Sequence, residues 1–387
     1  MEQPAEAFDP QNLFDFPDPY PMFAMLRATT PVSHVQMFNR ESYLVSRYDD
    51  AYEVLRDNEL FSSRANYEVG KFFGRTLIEM DGREHTRHRS LVQNMFSAKA
   101  LDALAVTCEQ LVHELLDDVQ RDTRADLVAQ FSLRFPVQVI GRVLGIPRAD
   151  YPKYQKWALQ LVGFSKDPPA GMAASQALHA YLTPIIQAHR AAPTDDVISK
   201  LVTGTVEGTG LTDDEVVNFL RLLIPAGAET TSRLIGTMLF ALLSERDRYE
   251  RVRADRSLVP WAIEESLRWE TPVVFVAREA TRTTEIRGVE IPEGKNVSAI
   301  IGAANRDPEK YPDPDAFDLD RHADDHLSFG FGRHFCLGYN LAKLEARTAL
   351  TAVLDRLPNL RIDPDAPPPS VRGMAFRSPP SLPVRFD

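Results

Sequence analysis

A mainly helical fold with small β-sheets is what this sequence predicts, and three observations predict it. Helical segments dominate from residue 86 to about 257, and in 98–120 apolar residues recur at three- and four-residue spacing. Short alternating stretches and turn signals fall near the start and again after residue 270. No Gly/Ser-rich linker, repeat period or low-complexity run separates these regions. The 387 residues therefore read as one large helical domain, 1–387, with a minor β-rich region, although length alone would suggest two or three domains.

The elements follow in order. "PVSHVQMF" and "SYLVSRYDD" alternate in polarity and predict a small sheet, followed by a helix capped near Asp49. In 98–120, Leu101, Leu104, Cys108, Leu111, Leu115 and Val119 form one apolar helix face. Cys108, lying on it, reads as a small buried hydrophobe. "SKDPPAGM" (165–172) breaks two helical segments with Pro-Pro and Gly; it reads equally as a lid over a site or as a surface loop. "TGTVEGTGLTDDEVV" opens a long helix, 212–243, with Thr212 as N-cap and Glu215 completing a capping box. After 270 come short strands and turns, with "VEIPEG" between "TTEIR" and "KNVSAII". A helix from about 337 to 355 and a Pro-rich tail with short strand-like runs close the chain.

Composition narrows the function classes. Two cysteines in so long a chain argue against a disulfide framework and fit a reducing compartment. No apolar run approaches the roughly 20 residues that span a bilayer. The start, "MEQPAEAFDPQNLFDFPDPY", lacks the basic and apolar regions of a signal peptide. The expectation is a cytoplasmic protein without a membrane anchor. A formal charge of −11 disfavours nucleic acid and anionic membrane as partners.

One of the two cysteines sits in "HLSFGFGRHFCLG", 326–338, just ahead of a helix. Gly330 and Gly332 can take positive φ and allow close backbone approach. Cys336 lies where the unpaired amides and dipole of the following helix would favour a thiolate. On this stretch alone, a ligand, a nucleophile and a structural cysteine all stay open.

The pattern F-G-x-G-x-H-x-C-x-G is filled at Phe329, Gly330, Gly332, His334, Cys336 and Gly338. It resembles the haem-ligand signature of the cytochrome P450 superfamily, the haem-thiolate monooxygenases. The resemblance implies the P450 fold and a haem b (iron protoporphyrin IX) with Cys336 as the metal's thiolate ligand. It also implies that amides after the cysteine donate to sulfur, that Phe329 shields the sulfur and that His334 donates to a propionate.

Other motifs of that family occur in order. "AIEESLRWE" carries Glu265 and Arg268 three apart on a helix. Alone this is a common solvated pair. With Arg321 in "FDLDR" it resembles the family's structural lock of the cysteine loop. "LIPAGAETTS" (223–232) is poor helix, and Pro225 leaves the carbonyl of Arg221 without its partner, as at a functional bulge. It resembles the oxygen-binding stretch A-G-x-[DE]-T-T through Ala226, Gly227, Glu229, Thr230 and Thr231. The resemblance implies that small residues at 226 and 227 make room for oxygen. It implies too that Thr230 holds that oxygen or a water, and that Glu229 relays protons from solvent. "EHTRHRSL" and "VFVAREA" place His85, Arg89 and Arg278 where the family contacts the propionates.

The resemblance runs from about residue 10 to the end and implies a monooxygenase that inserts one atom of O2 into a small apolar substrate. Val273, Val274, Val276, Leu222, Ala226 and the segment 61–80, with Phe72 and Phe73, are the pocket candidates. They suit a terpenoid, steroid-like, aromatic or fatty molecule. The chain has no dinucleotide fingerprint and no iron–sulfur cysteine set, so NAD(P)H-derived electrons need a partner. A ferredoxin with its reductase is expected, a flavodoxin being second, docking on a monomer at a basic patch of Arg87, His88, Arg333, Lys343 and Arg347. The competing readings are a peroxide-using or non-oxygenating enzyme on the same fold, a haem-binding sensor or carrier, and a non-haem thiol enzyme.

Overall fold

The computed structural model describes residues 16–37, 40–163, 167–194 and 196–387. α1 (Tyr20–Thr29) precedes the expected pair β1 (Val32–Met37) and β2 (Arg40–Val45), antiparallel with Val32 opposite Val45. α2 (Tyr48–Arg56) begins earlier than the Asp49 cap predicts. Asp49 and Asp50 lie in its first turn, where they favour the dipole. The cap is supplied from far along the chain: Asp307 Oδ2 accepts the Tyr48 N–H at 3.0 Å. No local pattern could have shown that.

β3 (Phe61–Ser62) leads to α3 (Tyr67–Phe73), α4 (Gly82–Val92) and α5 (Ala98–Val119). Cys108, Leu111, Leu115 and Val119 of α5 are buried as expected, while Leu101 and Leu104 are half-buried. The helical run is then interrupted by β4 (Arg124–Asp126), too short to show alternation, which pairs with the chain's last strand. α6 (Arg134–Val143), α7 (Tyr151–Val162) and α8 (Pro168–Ala191) follow. The Pro-Pro of "SKDPPAGM" opens α8 and does not break a longer one: Asp167 caps it by accepting the Ala170 N–H at 3.0 Å, and prolines cost little in a first turn. Ser165 and Lys166 lie outside the described residues.

α9 (Val197–Thr203) and the hairpin β5–β6 (Thr205–Val206, Thr209–Gly210) lead into α10 (Asp213–Ser244). The capping box forms, with Thr212 Oγ1 accepting the Glu215 N–H at 3.2 Å and Glu215 Oε2 accepting the Thr212 N–H at 2.8 Å. α10 runs 32 residues straight through Pro225 without the expected bulge. Its neighbours explain why: it packs against α6, α7 and α8, and burial of both sides outweighs one lost hydrogen bond.

α11 (Arg246–Ala254) and α12 (Val259–Trp269) end the helical part. β7 (Phe275–Ala280), β8 (Thr284–Ile286), β9 (Val289–Ile291), β10 (Asn296–Ile300) and α13 (Ile301–Ala304) follow. Then come α14 (Tyr339–Arg356), β11 (Arg361–Ile362) and β12 (Pro383–Arg385). The main sheet has the order β1-β2-β10-β7-β3, with β10 parallel to β2, so strands from the start of the chain and from beyond residue 270 meet in it. α10 also packs against α12 and α14, which places the Cys336 loop beside its middle turns. Among the described residues no helix is long and apolar enough to cross a membrane.

Candidate active site

A cavity of about 410 Å³ lies between α10, the cysteine loop with α14, α4 and β7. One stripe of α10 faces it: Phe219, Leu222, Leu223, Ala226, Gly227 and Thr230, spaced at three and four as a single helix face. Leu222, Ala226, Val273 and Val276 line it as expected. Phe72, Phe73 and Val274 do not belong to its lining. Val274 is buried instead beside Phe23 and Ile300, and Phe73 is buried in the helical core with Phe72 packed against it. Leu77 and Ile78, inside the expected segment 61–80, line the cavity, as does Phe219. The period of α10 could have shown Phe219.

Backbone geometry shapes the cysteine loop. Gly330 and Gly332 have φ of +69° and +70°. At Gly332 the close approach is to protein and not to a ligand, since a Cβ there would stand 3.0 Å from Leu55 O of α2. The loop closes on itself where Cys336 N–H donates to Phe329 O at 2.9 Å. Phe329 packs edge-on against Tyr339, ring centres 4.8 Å apart. Burial pushes the Cys336 thiol up, while the Gly338 and Tyr339 amides and the Arg89 guanidinium pull it down. Burial wins in the protein alone, so the helix terminus by itself does not make a thiolate here.

Above the loop, four donors converge. The rings of His85 and His334 lie 4.1 Å apart. Burial drives His85 down to about 4 and Arg278 down to about 10, and lowers His334 as well. His85 Nδ1 and Arg278 Nε are buried without a hydrogen-bond partner, an arrangement costly enough to imply a partner molecule. Arg89 Nη2 donates to Phe335 O at 2.7 Å, tying α4 to the loop. Asp81 faces His334 at 3.5 Å. Burial opposes its charge, but hydrogen bonds from His334, Ser62 and the Ser63 N–H hold it at about 2.

This donor set fits the group that the cysteine motif implies. The Arg278 guanidinium, with Nε unpartnered, and the buried imidazole of His85 are donors that suit carboxylates, the soft sulfur suits iron, and a Cβ built on Gly338 would meet nothing within 4 Å, leaving room beside the thiol.

Thr230 lines the cavity, and its Oγ1 donates to Ala226 O at 2.7 Å. Glu229 is buried and is not part of the cavity lining; Arg233 Nη2 donates to it at 2.7 Å and Arg233 Nη1 reaches Ser378 Oγ at 3.1 Å. Gly227 has a second reason to be small: a Cβ there would stand 3.0 Å from Ile140 Cδ1 of α6. Glu265, Arg268 and Arg321 meet on the far side of the loop. Arg268 Nε and Nη2 donate to the two Glu265 oxygens, both at 2.7 Å, and Arg321 Nε lies 3.3 Å from Glu265 Oε1.

Glu345 of α14 escapes the sequence patterns. It is buried on the cavity wall with Oε2 unpartnered, and burial raises its carboxyl well above the usual range. Its proton is retained on folding but lost by the unfolded chain above about pH 4.3. Wild-type stability should therefore fall, relative to Glu345→Gln, as pH rises toward the folded-state value. Urea unfolding between about pH 5 and 8 should show the two diverging, with Gln the more stable at the upper end; parallel curves would mean an ionised Glu345.

The sequence model of the family "Cytochrome P450" matches residues 12–162 and 156–384. The chain is 35% identical over 385 residues to cytochrome P450 monooxygenase PikC of Streptomyces venezuelae, covering 95% of this chain and 91% of PikC. It is 36% identical over 378 residues to mycinamicin IV hydroxylase/epoxidase of Micromonospora griseorubida, covering 94% of each. The solved structure of CYP109E1 from Bacillus megaterium with testosterone superposes with a TM-score of 0.88 at 33% identity, covering 96% and 99%. The chain belongs to the cytochrome P450 family and is a haem-thiolate monooxygenase of small organic molecules.

Proposed function

We propose that Cys336 holds the haem iron as its thiolate, and that His85, Arg89, Arg278 and His334 hold the haem's carboxylates. The observation that carries this reading is that His85 and Arg278, buried and unpartnered at Nδ1 and Nε, line the same mainly apolar cavity as the Cys336 thiol. The bound haem supplies the redox chemistry by which one oxygen atom enters the substrate. Ala226 and Gly227 keep the wall of α10 low. Thr230 gives its proton to Ala226 O, which leaves its oxygen lone pairs to accept from an ordered water. Glu229 lies on the outer side of α10 beside Arg233 and Ser378, so its protons come from the side of the C-terminal tail. Thr230→Ala should keep consuming NADH while product per NADH falls and peroxide rises; Glu229→Gln should slow turnover instead. Normal product per NADH in Thr230→Ala removes the hydroxyl from the reaction. That hydroxyl in the cavity also favours oxygen activation over a peroxide-using, non-oxygenating or sensor role.

The substrate we infer is apolar and of steroid or macrolide-ring size, given walls of Phe219, Leu222, Val273 and Val276. Relatives named for mycinamicin IV or solved with testosterone support that class. A ligand library scored by the haem's spin-state spectrum would select among members.

Electrons come from a ferredoxin and its NAD(P)H reductase, or from a flavodoxin, to a cytoplasmic monomer of one domain. The docking patch is smaller than the sequence suggests. His88 is buried against Glu215 at 3.0 Å and Arg87 lies 3.6 Å from the same carboxylate, so both turn toward the start of α10. Arg333 and Arg347 remain exposed, with Lys343 beside Glu264. Screening acts over ~8 Å at physiological salt, so the first-electron rate should fall as salt rises. Arg333→Glu and Arg347→Glu should lower it about tenfold without changing substrate binding, whereas Arg87→Glu should not. A rate indifferent to salt and to both reversals would move the docking face elsewhere.

A further inference from the structure

Asn66 lines the cavity but takes no part in the chemistry above. It ends the short helical turn Ser63–Asn66, and the chain before it is firmly held. β3 pairs with β7, Phe61 standing opposite Ala280, and Asp81 accepts both the Ser63 N–H, at 3.1 Å, and the Ser62 hydroxyl. β7 in turn carries Val276 and Arg278, which line the same cavity. The Asn66 side chain is held as well. Its Nδ2 donates to Ser63 O at 3.1 Å and to Ile78 O at 3.2 Å, so both amide hydrogens are spent. The reverse orientation would set Oδ1 against two carbonyl oxygens at those distances, and the network thereby fixes which end of the amide is which.

Oδ1 keeps its lone pairs free, for among the described residues nothing donates to it. Its neighbours on the wall, Leu77 and Ile78, are apolar. Ile78 is 38% exposed, which puts this stretch on the solvent side of the cavity. Thr230 and the four donors above Cys336 answer to oxygen and to the haem's carboxylates; Asn66 stands apart from them, on the segment between β3 and α4. An amide that can only accept selects by polarity. A hydroxyl or N–H on a ligand replaces a water there bond for bond. A carbonyl of the same shape displaces the water and returns nothing, acceptor facing acceptor.

We propose that Asn66 is a specificity-determining residue, and that the substrate is an apolar molecule bearing a hydroxyl or N–H at the end bound beside Asn66 Oδ1. This rests on the reading of the cavity as the substrate site and narrows the substrate class within it. An alcohol should therefore bind ahead of the ketone of the same skeleton, because the shape is kept and only the donor differs.

Titration of the haem-loaded protein with matched alcohols and ketones, followed by the haem's spin-state spectrum, tests this. The pairs are testosterone with androstenedione and cyclododecanol with cyclododecanone. In wild type the alcohol of at least one pair should bind about tenfold tighter than its ketone, the size of one hydrogen bond. Asn66→Leu, which keeps the bulk and removes the acceptor, should bring that ratio close to one. A merely structural Asn66 would weaken both members alike and leave the ratio standing. Equal affinities within both pairs in wild type overturn the proposal, as does the absence of a spin shift with either alcohol, or a ratio that survives in Asn66→Leu. If Asn66→Leu does not fold, Asn66→Ser keeps a donor for Ser63 O and withdraws the acceptor. It must then lose the ratio too, and a wild-type ratio there counts against the proposal. The carbon monoxide band of the reduced protein is read on the same samples. Equal affinities with the thiolate band present sink the role of Asn66 alone, whereas a missing band sinks the assignment of Cys336 on which it rests.

Discussion

Cys336→Ala protein, reduced under carbon monoxide, is expected to lack the strongly red-shifted Soret band of thiolate ligation and to lose monooxygenation to background. The argument rests on where sulfur can be charged. Cys336 stands on the cavity wall with the Gly338 and Tyr339 amides directed at it and the Arg89 guanidinium near. Those three favour a thiolate, and burial alone opposes it; an iron cation would reverse that balance. Cys108 is the control. It is fully buried on α5, where burial pushes its thiol up and the Glu109 carboxylate adds to the rise. Cys108→Ala should leave the spectrum as it is. Cys336→His keeps a ligand but changes its softness, so the band should return to an ordinary position. If it stayed red-shifted in Cys336→His, another sulfur would hold the iron.

What the sequence could show was set by the range of each interaction. The α10 capping box spans three residues and was readable; so was the apolar face of α5, because both repeat within one or two turns. Short strands and turns after residue 270 were readable as a class, and β8 and β10 fall in the runs "TTEIR" and "KNVSAII". The cap of α2 by Asp307, the pairing of β4 with β12 and the burial of Glu345 depend on residues far away in the chain, and no local pattern carries them. The pocket shows the same division. Leu222 and Ala226 share a helix face with the oxygen motif, whereas strict alternation would pair Val274 with Val276, so period alone could not tell that Val273 and Val276 line the cavity while Val274 is buried beside Phe23. The basic patch failed for a related reason. Charge is visible in sequence but its direction is not, and Arg87 and His88 point to Glu215.

The second large effect is expected at the lock. Arg268 is fully buried, and besides its two bonds to Glu265 it donates to Asn305 O at 3.1 Å, Pro314 O at 2.8 Å and Ala316 O at 2.9 Å. Glu265 Oε1 also accepts the Asp318 N–H at 2.8 Å. One ion pair thereby fastens α12 to the segment 305–321. The tie continues, because Asn305 accepts the Leu327 N–H and donates to Ser328 Oγ, both at 2.8 Å, at the start of the cysteine loop. Removing one partner leaves the other charge buried and unpaired, a loss of about 3–5 kcal/mol. Arg268→Met and Glu265→Gln should each lower the unfolding free energy by that amount in urea and should also reduce haem content, since the loop loses its anchor. The double variant should lose less than the sum of the two, because the second change removes the charge stranded by the first. Arg321→Met should cost less than either, as its guanidinium is nearer solvent and lies 3.3 Å from Glu265. Single variants within about 1 kcal/mol of wild type would show that the pair is solvated and holds nothing.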